Sequence, residues 1–105
     1  MTEGLHVEIH GNVGMVVMDR PPHNFLNFGQ VHGIADAMQE LEDDLSIRCI
    51  VLAANGRSFC AGADLAGDGV GGGEDEVVGG SATLALYQGS GRLFDITLPI
   101  VGAIH

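Results

Sequence analysis

Residues 49–65 read Cys-Ile-Val-Leu-Ala-Ala-Asn-Gly-Arg-Ser-Phe-Cys-Ala-Gly-Ala-Asp-Leu, and this stretch decides the fold class. Cys49 to Ala54 is short and almost wholly apolar, the pattern of a strand covered on both faces. Asn55-Gly56-Arg57-Ser58 supplies turn residues. The run from Phe59 to Leu65 has Ala61-Gly62-Ala63 at its centre, three residues with almost no side chain. At the end of a buried strand such residues present backbone N–H groups to whatever lies above the sheet edge, as an oxyanion hole requires. A tight turn pressed under the sheet would also ask for small residues, and both readings stand at this point.

Toward the N-terminus, Leu5, Val7 and Ile9 alternate with His6, Glu8 and His10, a strand with one wet face. Gly11-Asn12 marks a turn. Val13 to Met18 is apolar around Gly14 and reads as a more buried strand, so the two form a hairpin. Asp19 to Asn24 contains Pro21 and Pro22, which cannot donate to a ladder, and the chain leaves the sheet there. A helix is expected from about Gly29 to Asp44, its apolar stripe made by Val31, Ile34, Met38, Leu41 and Leu45. Glu40, Glu42, Asp43 and Asp44 give it a solvated face and an acidic C-terminal end that opposes the macrodipole and should fray. Strand, helix and strand in this order predict a right-handed parallel crossover. The Pro21-Pro22 loop and the Ala61 turn then lie on one sheet edge, where ligands of open α/β sheets gather.

Toward the C-terminus, Gly67 to Gly80 is glycine-rich and acidic, and predicts a flexible loop. Ser81 is read as the cap of a helix to about Asp95, with Leu84, Tyr87 and Phe94 among its apolar contacts. Gly89 and Gly91 each cost such a helix about 1 kcal/mol relative to alanine. Leu98-Pro99 ends it, and Ile100 to Ile104 reads as a last strand. The fold class is α/β, and 105 residues suffice for one small domain.

Composition narrows the function. The net charge is −10, with four arginines and no lysine, so nucleic acid and anionic membranes are poor partners. No apolar run is long enough to span a bilayer. The N-terminus lacks the basic and apolar regions of a signal peptide. Cys49 and Cys60 are too few for a disulfide framework and lack metal-site spacing, so no metal site is expected and a reducing cytoplasm is.

Four segments together resemble one family. Arg20-Pro21-Pro22-His23-Asn24-Phe25-Leu26 is similar to its Arg-Pro-x-x-Asn-x-Leu segment. Leu41 to Leu52 resembles its helix end and following strand. Phe59-Cys60-Ala61-Gly62-Ala63-Asp64-Leu65 is similar to its Phe-x-Ala-Gly-x-Asp-Leu signature. Leu98 to His105 resembles its Pro-(apolar)-Ala-(apolar)-(Asn/His) strand. The family is the enoyl-CoA hydratase/isomerase, or crotonase, superfamily, and everything but the Gly67–Gly80 stretch takes part.

The resemblance implies a fold of ββα repeats, of which residues 1–105 would be an N-terminal part. It implies an acyl-CoA thioester as partner and an enolate stabilised by two backbone N–H groups. Ala63 would be the first donor. Pro22, His23, Phe25, Ala61, Gly62, Ala63, Asp64 and Leu65 would bind the substrate, whose coenzyme A moiety is the only cofactor-like group. The second donor, the acidic catalytic residues and the trimer-building helices of the family fall after the matching segments. A hydratase of fatty-acid metabolism is the first reading, in a parent protein that is a homotrimer or hexamer. An isomerase, a thioester hydrolase or a decarboxylase is the alternative, as is an inactive fragment that binds acyl-CoA or a partner.

Other candidates read more plainly. His23 is taken as a ligand contact rather than a general base. Glu74-Asp75-Glu76 reads as a solvated charge run, and Cys60 as core packing. Gly67-Asp68-Gly69-Val70-Gly71-Gly72 fits a dinucleotide pattern, but acid follows it and no strand immediately precedes it. Arg20 and Arg57 flank the expected site, as phosphate contacts or as surface ion pairs. His6, His10 and His32 read as surface residues.

Overall fold

The computed structural model describes residues 4–63 and 79–105. Among them, strands β1 (Leu5–His10), β2 (Val13–Met18), β3 (Cys49–Ala54) and β4 (Ile100–Gly102) form one sheet in that spatial order. Helix α1 (Phe28–Asp43) joins β2 to β3, and α2 (Gly79–Leu93) precedes β4. β1 and β2 pair antiparallel from Leu5↔Met18 to His10↔Val13. β2 and β3 pair in parallel from Val13↔Cys49 to Met18↔Ala54, and β3 and β4 pair in parallel from Ile50↔Ile100 to Leu52↔Gly102. The expected hairpin and parallel crossover are both present.

One sheet face carries the core. Val16 and Met18 of β2, Ile50 of β3 and Leu5 of β1 meet Ile34, Ala37, Met38 and Leu41 of α1, with Ile47 closing one end. The pleat puts alternate residues on this face, and the helical repeat puts α1's stripe against it. Asn27 caps α1, its side chain accepting from the Gln30 N–H at 2.8 Å.

Gly14 explains how close the layers come: a Cβ there would lie 2.7 and 2.8 Å from the two methyl carbons of Leu41. Gly14→Val is expected to destabilise the chain by about 2 kcal/mol through overpacking. Urea unfolding of Gly14→Val, Leu41→Ala and the double variant checks this. The double variant should lose less than the sum of the two single losses, and simple additivity would refute the contact.

Several elements depart from expectation. Leu45 is 91% exposed, because α1 ends at Asp43 and the apolar position is taken by Ile47, 3% exposed. The acidic helix end is tied. Asp44 donates its N–H to the Leu41 carbonyl, and its carboxylate accepts from the Ser46 hydroxyl (2.7 Å) and N–H (3.0 Å). Those two bonds, the hydroxyl's first, hold the Asp44 carboxyl below its ordinary pKa. β3 is covered less than its composition suggests: Ile50 is buried and its other five residues are half-buried. β4 is three residues long and exposed, with Ile104 beyond it 75% exposed. Most of the Gly67–Gly80 segment lies outside the described residues; Gly79 and Gly80 belong to α2, so Ser81 falls within the helix and does not cap it.

Helix α2 docks differently from its expected stripe. Leu84, Tyr87 and Phe94 are 57%, 71% and 88% exposed. The contact with α1 runs through Gly89, where a Cβ would meet His32 Nε2 and Val31 Cγ1 at 2.8 Å each. The glycine that weakens the helix is what lets the helices approach. Arg92 then reaches across α1 to Asp36 (2.6 Å), Gln39 (3.0 Å) and His32 Nδ1 (3.1 Å). His32 is therefore a half-buried interface residue, its ring 4.4 Å from that of Phe28 and tilted by 47° to it, and not a surface one. Glu42 accepts from both the N–H and the hydroxyl of Thr97, fixing the entry to β4.

Candidate functional site

Because β2, β3 and β4 are parallel, their carboxyl ends share one edge, with Met18 opposite Ala54 and Leu52 opposite Gly102. The loops 19–27 and 55–63 both leave this edge, as the sequence pattern requires. The structure shows that they are laced together. Pro22 O accepts the N–H groups of Arg57 (2.8 Å) and Ser58 (3.0 Å), His23 O accepts that of Ala61 (2.9 Å), and Gly62 O accepts that of Leu26 (2.9 Å). An isolated parallel bridge joins Leu26 to Ala63.

Asn24 is the clasp. It is 1% exposed and has φ 51°, a left-handed conformation that asparagine tolerates better than most residues. Its Oδ1 accepts from the Arg20 N–H (2.8 Å), and its Nδ2 donates to the carbonyls of Asn55 (2.6 Å) and Ser58 (2.9 Å). One buried amide thus satisfies three backbone groups of two loops. The sequence shows Asn24 after two prolines, a legible turn signal, but not what it holds. Ser58 is the other residue missed: its hydroxyl lies 2.8 Å from His23 Nδ1.

The small-residue turn can now be read. Ala61, Gly62 and Ala63 are exposed, and a Cβ on Gly62 would meet nothing within 4 Å. Packing therefore does not demand glycine there, whereas φ +133° does. The bond that forms the bridge to Leu26 uses the Gly62 carbonyl and leaves the Ala63 amide outside it. Among the described residues, the Ala63 N–H is paired with no acceptor. An exposed backbone donor of this kind is chemically able to face a developing negative charge.

Of the other expected site residues, Pro22 and Phe25 are exposed and His23 is half-buried, its ring edge-on to Phe25 at 6.1 Å. Asp64 and Leu65 lie outside the described residues. Cys60 packs against the core, and both cysteines are free. Arg20 Nη1 donates to the Phe25 carbonyl at 3.2 Å. Among the described residues neither Arg20 nor Arg57 forms an ion pair, whereas Arg92 pairs with Asp36. In a chain of net charge −10, two of the four arginines belong to these loops and have no acidic partner among the described residues. His105 joins them, its Nε2 3.1 Å from the Gly56 carbonyl and its ring edge-on to Phe59 at 6.4 Å.

Among the described residues no cluster of three His, Cys, Asp or Glu side chains could hold a metal ion, and no helix is long and apolar enough to cross a membrane. His6, Glu8 and His10 lie on edge strand β1, and His6 Nδ1 is also 4.0 Å from Asp19 Oδ2; hydrogen bonds from His10 and then His6 hold the Glu8 carboxyl below its ordinary pKa.

Comparisons with known proteins bear on the family and the fold. A sequence model described as enoyl-CoA hydratase/isomerase matches residues 8–105. The carnitinyl-CoA dehydratase of Proteus mirabilis (strain HI4320) is 31% identical over 106 aligned positions, covering 100% of this chain and 39% of its own length. Enoyl-CoA hydratase subunit I of Geobacillus kaustophilus HTA426 superposes with a TM-score of 0.77 at 27% identity, covering 96% of this chain and 38% of that one. An enoyl-CoA hydratase/carnithine racemase from Magnetospirillum magneticum shares the fold with a TM-score of 0.80 at 22% identity, over 99% of this chain and 39% of that one. The chain thus spans about two fifths of the length of such relatives, and it has the α/β architecture of the N-terminal part of their fold.

Proposed function

Since the chain belongs to the enoyl-CoA hydratase/isomerase family, we propose that its loops 20–26 and 55–63 form the acyl-CoA binding edge of a hydratase- or dehydratase-type enzyme. The observation that carries this reading is the Ala63 amide, exposed, unpaired among the described residues and flanked by open space. A thioester carbonyl placed on this N–H gains negative charge as its α-carbon loses a proton or as water adds at the β-carbon. A fixed donor aimed at that oxygen lowers the barrier by about 2.7–4 kcal/mol. Pro22, His23, Phe25, Ala61 and Gly62 contribute mainly shape and backbone, and the resemblance assigns Asp64 and Leu65 to the substrate as well.

Coenzyme A enters as part of the substrate. Its phosphates match the two arginines of an otherwise acidic chain. Water addition to a 2-enoyl-CoA in fatty-acid metabolism is the preferred reaction, in a cytoplasmic homotrimer or hexamer. The dehydratase named among the relatives supports water chemistry over the alternative double-bond shift, thioester hydrolysis or decarboxylation. The 105-residue chain by itself is proposed to bind acyl-CoA without turning it over, because the resemblance places the second donor and the acid/base groups beyond the matched segments.

Amide NMR of the ¹⁵N-labelled chain tests the binding. Free coenzyme A should shift the resonances of residues 20–26 and 55–62, and acetyl-CoA, which adds the carbonyl, should shift Ala63 as well. Perturbations confined to other elements, or an Ala63 amide indifferent to the thioester, would refute the reading.

A further inference from the structure

We propose that Ser58 is a positioning residue that aims His23 Nε2–H at an anionic oxygen, a phosphate of the bound nucleotide; this rests on the acyl-CoA reading above. His23 is held at three points. Its carbonyl accepts the Ala61 N–H at 2.9 Å, its ring stands edge-on to Phe25, and its Nδ1 lies 2.8 Å from Ser58 Oγ. Ser58 is fixed in turn by its N–H on Pro22 O and by its carbonyl under the Asn24 amide. A half-buried imidazole on a surface loop has no structural need of so many restraints.

The bond also fixes the ring's proton. Among the described residues the Ser58 hydroxyl has no acceptor other than His23 Nδ1. With the hydroxyl assigned as the donor to Nδ1, a neutral ring carries its proton on Nε2. Nε2 is the ring atom left for a ligand, and as an N–H it suits an oxygen that only accepts. Its loop is hydrogen-bonded to the segment of Arg57, whose N–H donates to Pro22 O at 2.8 Å and whose guanidinium has no ion pair among the described residues. A donor and a cation on adjacent segments are what a phosphate oxygen recognises.

Coenzyme A titrations of the full 105-residue chain test this with Ser58→Ala, Ser58→Thr, His23→Ala and the Ser58→Ala/His23→Ala double variant. Each fold is verified by its amide spectrum. Ser58→Ala should weaken coenzyme A binding about fivefold, the worth of one aimed hydrogen bond. Ser58→Thr, which keeps the hydroxyl, should bind within about twofold of the unchanged chain, a difference below the worth of one bond. In the His23→Ala background the Ser58→Ala change should have no further effect. Imidazole ¹⁵N spectra should show the Nε2-protonated tautomer in the unchanged chain and a mixture in Ser58→Ala. Equal losses from Ser58→Ala with and without His23, or an Nδ1-protonated ring, would overturn the positioning role while leaving the acyl-CoA reading intact. Failure of the unchanged chain to bind coenzyme A would sink both.

Discussion

Asn24→Asp is expected to destabilise the chain by about 3 kcal/mol or more and to abolish coenzyme A binding at the 20–26 and 55–63 loops. The substitution preserves side-chain shape and tolerance of φ 51°. What it removes is the amide nitrogen that donates to the Asn55 and Ser58 carbonyls at 2.6 and 2.9 Å. In its place a carboxylate oxygen faces two carbonyl oxygens in a residue that is 1% exposed. Each buried group left unpaired costs about 1–3 kcal/mol, and more when charged. Asn24→Leu should cost a comparable amount for a different reason: it also orphans the Arg20 N–H, which now donates to Asn24 Oδ1 at 2.8 Å. Urea unfolding measures both. A loss below about 0.5 kcal/mol, the range of ordinary surface changes, would show that Asn24 does not hold the loops together.

Gly56→Ala should be the next most damaging single change, lowering stability by about 2–3 kcal/mol. Two costs combine. The backbone sits at φ +103°, and the new Cβ would lie 2.9 Å from Pro22 O and 3.2 Å from Pro21 Cα. Those are backbone atoms, so no side-chain rotation relieves the clash. Pro22 O also accepts the Arg57 and Ser58 N–H groups, so pushing it away loosens both bonds. Gly11→Ala supplies the control. Gly11 has φ +63°, but a Cβ there meets nothing within 4 Å, and it should lose only the left-handed penalty of about 1–2 kcal/mol. Thermal or urea unfolding of the two variants side by side checks the difference. Equal losses would mean that the contact with the Pro21–Pro22 segment is immaterial, and coenzyme A affinity should fall in Gly56→Ala alone.

Both variants act on one feature, the lacing of two loops that lie far apart in sequence. That feature marks the limit of what could be read from the chain. Strands and the first helix were legible because their signals are local: alternation in Leu5–His10, an apolar run in Cys49–Ala54, and an i, i+3, i+4 stripe from Val31 to Leu41. Errors fell where local signal and tertiary demand conflict. Leu45 fits the stripe numerically but falls inside the turn that follows α1, and Ile47 reaches the core instead. Leu84 and Tyr87 fit an amphipathic helix, yet α2 meets α1 through Gly89 and Arg92, a small residue and a charged one. His32 resembled a surface residue until Arg92 and Phe28 enclosed it.

The α/β class, the parallel crossover and the sheet edge shared by the loops 19–27 and 55–63 were legible in the chain, because side-chain periodicity and proline chemistry act within a few residues. So was the family, through motifs whose order and residue types survive without knowledge of contacts. Contacts, by contrast, come only from the folded chain: among the described residues a Cβ on Gly62 meets nothing within 4 Å, and the Ala63 amide lies outside the bridge to Leu26. The folded chain alone, likewise, paired Ser58 with His23 and set the Asn24 amide against Asn55 and Ser58. Hydrogen-bond partners more than thirty positions apart along the chain leave no periodic trace in it, and they exist only once the sheet has brought its strand ends together.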